Sequence, residues 1–409
     1  MNVIKLTRTH KIIIASVFAV LALLIILRVN YVINEQRTVL KEDLTMKEYP
    51  IELYVEEDIK PGKYEPESGI YTGAYVDKDD NISGDLLKYE KLTGQKQTFK
   101  VFVYDKQKGI GRQDILRCIA QKKTPYIKLM LGSDYDLTPL YQLIFDIRDN
   151  YNIPVFVELY PLTDKNYSIS DYKEIYQRAY EILHKYLSDI VVVWSANETR
   201  VKDMAVYYPG ADYTDWVGIN VFIPRYKGDD PYLYEGTKNL DYWYKTYQNK
   251  KPLMISSLAI SNYSNVDHAY SINEVENHLD LFYGRVLGEY PRIKGIIYMD
   301  VDMTKVSNKS SEDYRLTLQP SLLEKMNQLS SQLNIMSSLG QKHGDIPCYM
   351  KYSIMGINYN DELYISGDYI SSCFKDLSLK NISHIEDLSG EVFYSYSDIQ
   401  KQYNTYYRD

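Results

Sequence analysis

The chain has 409 residues, of which 45% are hydrophobic and 25% are charged, so its composition is that of a globular protein and excludes a disordered one. A formal net charge of −8, with no cluster of lysine or arginine, argues against a nucleic-acid partner held through its phosphates. The length allows one large domain and a smaller one. The 43 tyrosines fit the codon usage of an AT-rich genome, and they also supply flat apolar faces on which sugars stack.

The first 33 residues have the pattern of a membrane anchor. Lys5, Arg8 and Lys11 precede an apolar run over 12–27, which as a helix would span roughly 24 Å. A cleaved signal peptide has a similar pattern, but no small-x-small cleavage site follows the run. The sequence therefore predicts an uncleaved signal anchor over 1–33, a single pass through the cell membrane, and the rest of the chain outside the cytoplasm.

Two polar or irregular regions flank the longest part of the chain. Residues 34–67 are charged and contain three prolines, and they are predicted to form an extracytoplasmic stalk. Residues 340–409 consist of short alternating segments, of which ELYISGDYISSCF and EVFYSYSDIQKQY echo each other, and they predict a small α+β module. Cys348 and Cys373 lie in this module and would form a disulfide in an oxidising compartment.

Residues 68–339 repeat one plan, in which a polar helical segment and a turn lead into a short apolar strand. The predicted strands are 69–76, 99–104, 126–131, 153–160, 190–194, 216–222, 253–257 and 293–299. The predicted helices between them are 85–92, 113–121, 137–149, 170–187 and 272–289. Eight such units predict a (β/α)8 TIM barrel; a doubly wound open sheet is the alternative, but it more often has five or six strands.

In a (β/α)8 barrel the functional residues lie at the C-terminal ends of the strands. The predicted glycan-binding residues at these ends are Tyr75, Tyr104, Tyr160, Trp194, Asn197, Asn220, Phe222, Tyr298 and Asp302. The carboxylates that could perform chemistry there are Glu158, Glu198 and Asp300. Aromatic faces combined with acids are typical of a saccharide site.

Each of these acids also has a structural interpretation. Glu158 is favoured as an ion-pair partner of Lys128 or Arg225 across the barrel mouth, and Glu198 as a solvated loop acid or a partner of a helix N-terminus. Asp300 alternates with Asp302 along a strand, so both could line a polar cleft rather than react.

No cofactor or metal site is predicted. The glycine motif that begins at Gly109 has Asp114 in place of its third glycine, so it does not complete a dinucleotide fingerprint. The three cysteines form no CxxC pair, and the histidines show no metal or triad spacing.

The barrel resembles glycoside hydrolase family 26, whose best known members are β-mannanases. The segments that carry the resemblance are GIYTGAYV (69–76), YEKLTGQKQTFKVF (89–102), IPVFVELYPLTD (153–164), VVVWSANE (191–198), YYPGADYTDWVGINVF (207–222), KPLMISSLA (251–259) and YPRIKGIIYMD (290–300). The resemblance implies a glutamate acid/base after strand four and a glutamate nucleophile on strand seven. Those positions hold Leu162 and Ser257, and Asn220-Val221-Phe222 replaces an Asp-Gly-Tyr pattern on strand six.

Three hypotheses about function are compatible with the resemblance and these departures from it. The favoured one is a membrane-anchored protein that binds an envelope polysaccharide or exopolysaccharide without efficiently hydrolysing it. The second is an active glycoside hydrolase, acting on a β-mannan or β-glucan, that uses rewired carboxylates. The third is a scaffold that serves the proteins of a polysaccharide synthesis or export complex.

Overall fold

The structure is a computed structural model. It describes residues 16–17, 20–28, 37–39, 48–57, 59–104, 109–130, 136–151, 153–160, 168–306, 310–340, 348–387 and 389–408. Within those ranges no helix combines the length and the apolar character needed to cross a membrane. Most of the predicted anchor over 1–33 lies outside them. The chain forms two compact units, Glu57–Met350 and a second made of Met1–Glu56 with Lys351–Asp409.

In the described part of the larger unit, eight parallel strands close into a barrel. They are β1 (Ile70–Tyr75), β2 (Phe99–Val103), β3 (Thr124–Met130), β4 (Val155–Tyr160), β5 (Ile190–Asn197), β6 (Trp216–Ile223), β7 (Leu253–Ile260) and β8 (Ile293–Met299). Each strand pairs with the next, and β8 closes the barrel on β1 from Gly295 opposite Tyr71 to Met299 opposite Tyr75. The predicted TIM barrel is confirmed and the open sheet is excluded.

Helices connect the strands in sequence. The longer ones are α1 (Leu86–Thr93), α2 (Arg112–Ala120), α3 (Thr138–Asn150), α4 (Ile169–Tyr186), α5 (Leu240–Tyr247), α6 (Ile272–Leu279) and α7 (Pro320–Gln332). α6 continues through wider turns over Asp280–Val286 to Glu289. Local chemistry fixes the ends of α1: the Asp85 carboxylate accepts the amide of Leu87 at 2.9 Å, and Gly94 ends the helix at φ +68°.

Successive side chains of each strand face alternately the barrel interior and the helices. On β4, Val157 and Leu159 pack against the helices, whereas Phe156 packs inside the barrel. Rings fill the N-terminal half of the interior, where the Phe99 and Phe156 centroids are 4.7 Å apart. The interior is therefore a packed core with room for only a few polar groups.

The segment before β1 is part of the barrel rather than the end of a stalk. The Lys63 ammonium donates to the carbonyl of Ser188 at 2.6 Å, and the Trp216 indole donates back to the carbonyl of Lys63 at 2.8 Å. Arg292 binds both oxygens of Glu65 at 3.2 Å. The boundary that the sequence places at residue 68 lies near 57, because these buried contacts tie the segment to the strands.

The described strands of the smaller unit form a mixed sheet. Its strand order is Arg37–Val39, His384–Glu386, Val392–Ser395, Glu362–Ser366, Cys348–Tyr359, Tyr49–Glu57 and Thr405–Arg408. The two echoing segments each form a strand followed by a short helix, Gly367–Cys373 and Tyr396–Gln400. The α+β module thus takes Tyr49–Glu57 from the predicted stalk. The side chain of Cys348 lies outside the described residues, so its pairing with Cys373 stays a prediction.

Candidate active site

A polar layer lies above the aromatic rings inside the barrel. Lys128 on β3 and Glu158 on β4 have no exposed surface, and the ammonium lies 2.5 Å from Glu158 Oε2. Tyr126 donates to the same oxygen at 3.0 Å. Ser195 and Asn220 donate to Oε1 at 2.6 and 3.2 Å. Both carboxylate oxygens are therefore occupied by donors from neighbouring strands.

β7 completes this layer. Lys128 also donates to the carbonyl of Ser256 and to the hydroxyl of Ser257, both at 2.8 Å. Ser256 in turn donates to Asn220 Oδ1 at 3.1 Å. Burial lowers the pKa of Lys128 from its ordinary value, and the adjacent Glu158 carboxylate opposes that change.

This geometry confirms the interpretation of Glu158 as an ion-pair partner of Lys128. Arg225, the other partner considered, binds the Asp267 carboxylate instead. Ser257, where the resemblance predicts the family's nucleophile, is a buried acceptor of the Lys128 hydrogen bond. Leu162, where the resemblance predicts the acid/base, lies outside the described residues.

Asp300, after β8, is a buried acid next to a second acid. Its Oδ1 accepts the Leu316 amide at 2.6 Å. Burial and a hydrogen bond with Asp79 raise the Asp300 pKa well above its ordinary value. Asp79 also accepts the Thr317 hydroxyl at 2.6 Å. The raised pKa favours the neutral form of Asp300 beside Asp79.

Asp302 belongs to an ion-pair cluster rather than to a glycan site. Its Oδ2 lies 2.9 Å from Arg315 Nη2, and that guanidinium also binds Asp313 at 2.7 Å and Asp80. Thr304 donates to the other Asp302 oxygen. The prediction that Asp302 contacts sugar is corrected because the carboxylate is buried and its oxygens are occupied.

Glu198, at the end of β5, is the buried partner of a helix N-terminus. Its carboxylate accepts the amide of Asn239, the residue before α5, and the Asn239 side chain donates to the Glu198 carbonyl at 3.1 Å. Burial raises the pKa of Glu198, while the Asn239 amide and the charge of Lys238 act in the opposite direction. The structure thus confirms that Glu198 is a partner of a helix N-terminus and not a solvated loop acid.

Several aromatic residues predicted to bind glycan are core residues. Trp194 and Tyr298 are fully buried and face the helices, where the Trp194 ring lies 5.2 Å from that of Tyr208. Tyr104 is buried in the same layer, and Tyr75 is buried inside the barrel. The prediction is corrected for Trp194, Tyr298 and Tyr104, since residues at strand ends alternate between the mouth and the helix layer. Tyr75 faces the interior but is 8% exposed there.

The remaining predicted residues divide into three cases. Asn220 is buried in the Lys128–Glu158 layer, and Asn197 is half-buried. Phe222 is 42% exposed at the end of β6. The backbone of Tyr160 ends β4, but its side chain lies outside the described residues. Phe222 and Asn197 are thus the described members of the predicted set that a ligand could reach.

A cleft of about 830 Å³ lies beyond the ends of β6 and β7. One wall is the loop that follows β6, with the tyrosines Tyr226, Tyr232 and Tyr234; the other wall is α6. These tyrosines are not among the predicted site residues, because those were expected at strand ends only. The Pro-Tyr-Leu-Tyr run at 231–234, an aromatic cluster in a loop on the functional face, is the signal that could have found them.

The comparisons with known proteins support the resemblance. The model of glycosyl hydrolase family 26 matches residues 160–282, from the end of β4 into the turns that follow α6. The resemblance is therefore confirmed over that part of the barrel. No curated protein sequence matches the chain.

Solved structures of similar proteins include a family 26 β-mannanase from Bacteroides ovatus, with 12% identity and a TM-score of 0.48, covering 69% of this chain and 94% of its own. A Cellulomonas fimi endo-β-1,4-mannanase double mutant has 10% identity and a TM-score of 0.47, covering 83% and 93%. The catalytic domain of a Bacillus endo-β-1,4-mannanase has 12% identity and a TM-score of 0.49, covering 68% and 91%.

Proposed function

We propose that the barrel binds a polysaccharide or oligosaccharide without efficiently hydrolysing it. One observation carries this proposal: Glu158, the acid at the end of β4, has no exposed surface and is saturated by Lys128 and three other donors. An acid in that position cannot approach a glycosidic oxygen without breaking a buried ion pair, which costs several kcal/mol.

The other candidate acids are also buried. Glu198, Asp300 and Asp302 expose 1%, 0% and 3% of their surface. A retaining glycosidase needs two carboxyl groups about 5–5.5 Å apart that both reach the scissile bond. These acids fit structural roles better, so rewired catalysis is the weaker hypothesis.

The resemblance to family 26 supports a glycan as the ligand. The best known members of that family are β-mannanases, so β-mannan is the first ligand to test, and β-glucan is tested beside it. We place the barrel outside the cytoplasm, held at the membrane by the predicted anchor over 1–33. In that position it would contact an envelope polysaccharide or exopolysaccharide.

A glycan-array screen of the full-length chain, run beside an assay of reducing-end release from β-mannan and β-glucan, tests the proposal. We expect binding to at least one glycan and no release of reducing ends. Release that disappears in a folded Glu158→Gln or Glu198→Gln variant would establish the hydrolase instead. Absence of binding to every arrayed glycan would favour the scaffold and overturn the proposal.

A further inference from the structure

The cleft beyond β6 and β7 lies over buried residues of the barrel. Ile223 and Ile260, the last residues of the two strands, are buried beneath it, and Ser261 adds a polar edge. Its volume of about 830 Å³ lies within the roughly 300–1,000 Å³ that small-molecule sites occupy. The cleft therefore has the size and the apolar base of a ligand site on the functional face of the barrel.

Tyrosine rings form one wall. The Tyr232 and Tyr234 rings stack with their centroids 5.5 Å apart and their planes 25° apart, and both side chains are half-buried. Tyr226 lines the same side. A tyrosine offers a rigid flat face with only two side-chain torsions to restrict, so it binds at low entropic cost. Such a face complements the C–H face of a sugar ring.

The wall is held in place before any ligand arrives. The Glu312 carboxylate accepts the amides of Arg225 and Tyr226 at 3.2 and 3.3 Å. The Arg225 guanidinium binds Asp267 and donates to the carbonyl of Ala269 at 2.6 Å. These contacts tie the loops after β6 and β7 together. A preorganised wall loses little freedom on binding.

A glycine allows the loop to approach the barrel. Gly236 has φ +78°, and a Cβ atom there would lie 2.8 Å from Val221 Cγ1 and 2.9 Å from Ile223 Cδ1. Because only glycine fits, the loop that carries Tyr232 and Tyr234 packs directly on β6. The position of the tyrosine wall is thus fixed by the backbone.

The charges that line the cleft balance. Arg225 and Lys238 provide two positive groups, and Glu235 and Glu274 provide two negative ones. His278 adds a polar ring, whose Nδ1 lies 2.7 Å from the Glu274 carbonyl. A site for a uronate or a phosphate would show an excess of cations. Balanced charge favours a ligand that is polar and uncharged.

We propose that this cleft binds a segment of a neutral oligosaccharide, with Tyr226 and Tyr232 as its stacking faces. The inference rests on the proposed glycan-binding function and names where, and to which class of sugar, the barrel binds. It places the ligand to the side of the sealed Lys128–Glu158 layer, against the loops that follow β6 and β7.

Calorimetric titration of the full-length chain tests the site. The probes are β-1,4-linked manno-hexaose and gluco-hexaose, any glycan that the array identifies, and an oligogalacturonate as the anionic arm. We expect Tyr232→Ala to weaken binding of the neutral ligand about tenfold or more. Tyr232→Phe should retain most of the affinity, since the ring face remains. Tyr141→Ala is the matched control, because Tyr141 is 40% exposed on α3, which does not line this cleft.

The failures of the two proposals are distinguishable. If the parent chain binds a glycan and Tyr232→Ala binds it equally well, the cleft assignment is wrong while glycan binding stands. Tighter binding of the oligogalacturonate than of every neutral probe would overturn the neutral class. If the parent chain binds no probe and no arrayed glycan, the proposed function itself fails.

Discussion

Glu158 and Asp300 are both buried carboxyl groups near the C-terminal ends of barrel strands, but their charges are neutralised in opposite ways. Glu158 faces the Lys128 ammonium and three further donors. Asp300 lies beside a second carboxyl group, Asp79, and burial together with this neighbour raises its pKa well above the ordinary value. Burial alone therefore does not define the state of an acid; its neighbours decide whether it is held as an ion or as a neutral group.

The comparison also explains why neither acid serves hydrolysis. A general acid needs a proton it can deliver to the substrate, and a nucleophile needs a free carboxylate. Both oxygens of Glu158 are occupied by Lys128 and three further donors, and Asp300 has no exposed surface. Both acids are held inside the protein, whereas the tyrosine cleft beside the barrel mouth is accessible.

The largest loss of stability is expected when one partner of the buried Lys128–Glu158 ion pair is removed. Lys128→Met leaves the Glu158 carboxylate buried beside its hydroxyl and amide donors without a cation, and we expect the barrel to lose about 3–5 kcal/mol in free energy of unfolding. Urea unfolding at neutral pH measures the loss. Lys245→Met is the control, because it breaks a half-exposed pair with Asp241 on α5 and should change stability by less than about 1 kcal/mol. Equal effects in the two variants would contradict the comparison.

A double variant separates the effect on stability of losing the Lys128 charge from the effect of losing the packing of its side chain. In Lys128→Met/Glu158→Gln the uncompensated charge is gone, and the Gln carbonyl still accepts from Ser195 and Asn220. We expect the double variant to recover more than half of the stability that Lys128→Met loses. A double variant as unstable as the single one would mean that packing of the lysine stem, and not the charge, dominates.

Asp300→Asn should act in the other direction. The folded pKa of Asp300 is raised, so its proton stabilises the barrel fully below the unfolded pKa of about 3.9, and that stability is lost as pH rises toward the folded pKa. Within that window the slope approaches about 1.4 kcal/mol per pH unit. An asparagine amide donates to Asp79 at every pH, so the variant should gain stability at pH 7 and lose the slope. Thermal unfolding from pH 4 to 8 tests this, and an unchanged slope would remove Asp300 as the shared-proton donor.

The sequence predicted the eight strands closely because fully buried parallel strands are short apolar runs between turns, and the chain shows eight of them in order. It also offered Lys128, as one of two partners with Arg225, for Glu158. Lys128 and Glu158 occupy inward positions on adjacent strands, and their charges are opposite.

The sequence could not determine which strand-end side chains face the mouth. The aromatic side chains of Trp194 and Tyr298 favour a position at the mouth. Successive residues of a strand face alternately inward and outward, however, and both of these side chains face the helices. The tyrosine cleft was missed because its walls meet only in the folded barrel: the loop after β6 and helix α6 are about 40 residues apart in sequence.

Glu198 is the third buried carboxyl group to compare with Glu158 and Asp300, and its substitution is expected to change stability least. Burial raises its pKa as it does for Asp300, but its partner is the Asn239 amide, and Lys238 lies nearby, so the ionised form is partly supported. Glu198→Gln keeps an oxygen to accept the Asn239 amide and removes the titration. Since the raised pKa again makes stability fall as pH rises above about 4, we expect a gain at pH 7 of less than about 1 kcal/mol, smaller than that of Asp300→Asn. A gain larger than that of Asp300→Asn in the same pH series would show that the neighbouring acid matters less than burial, and the contrast between the two kinds of buried carboxyl would fail.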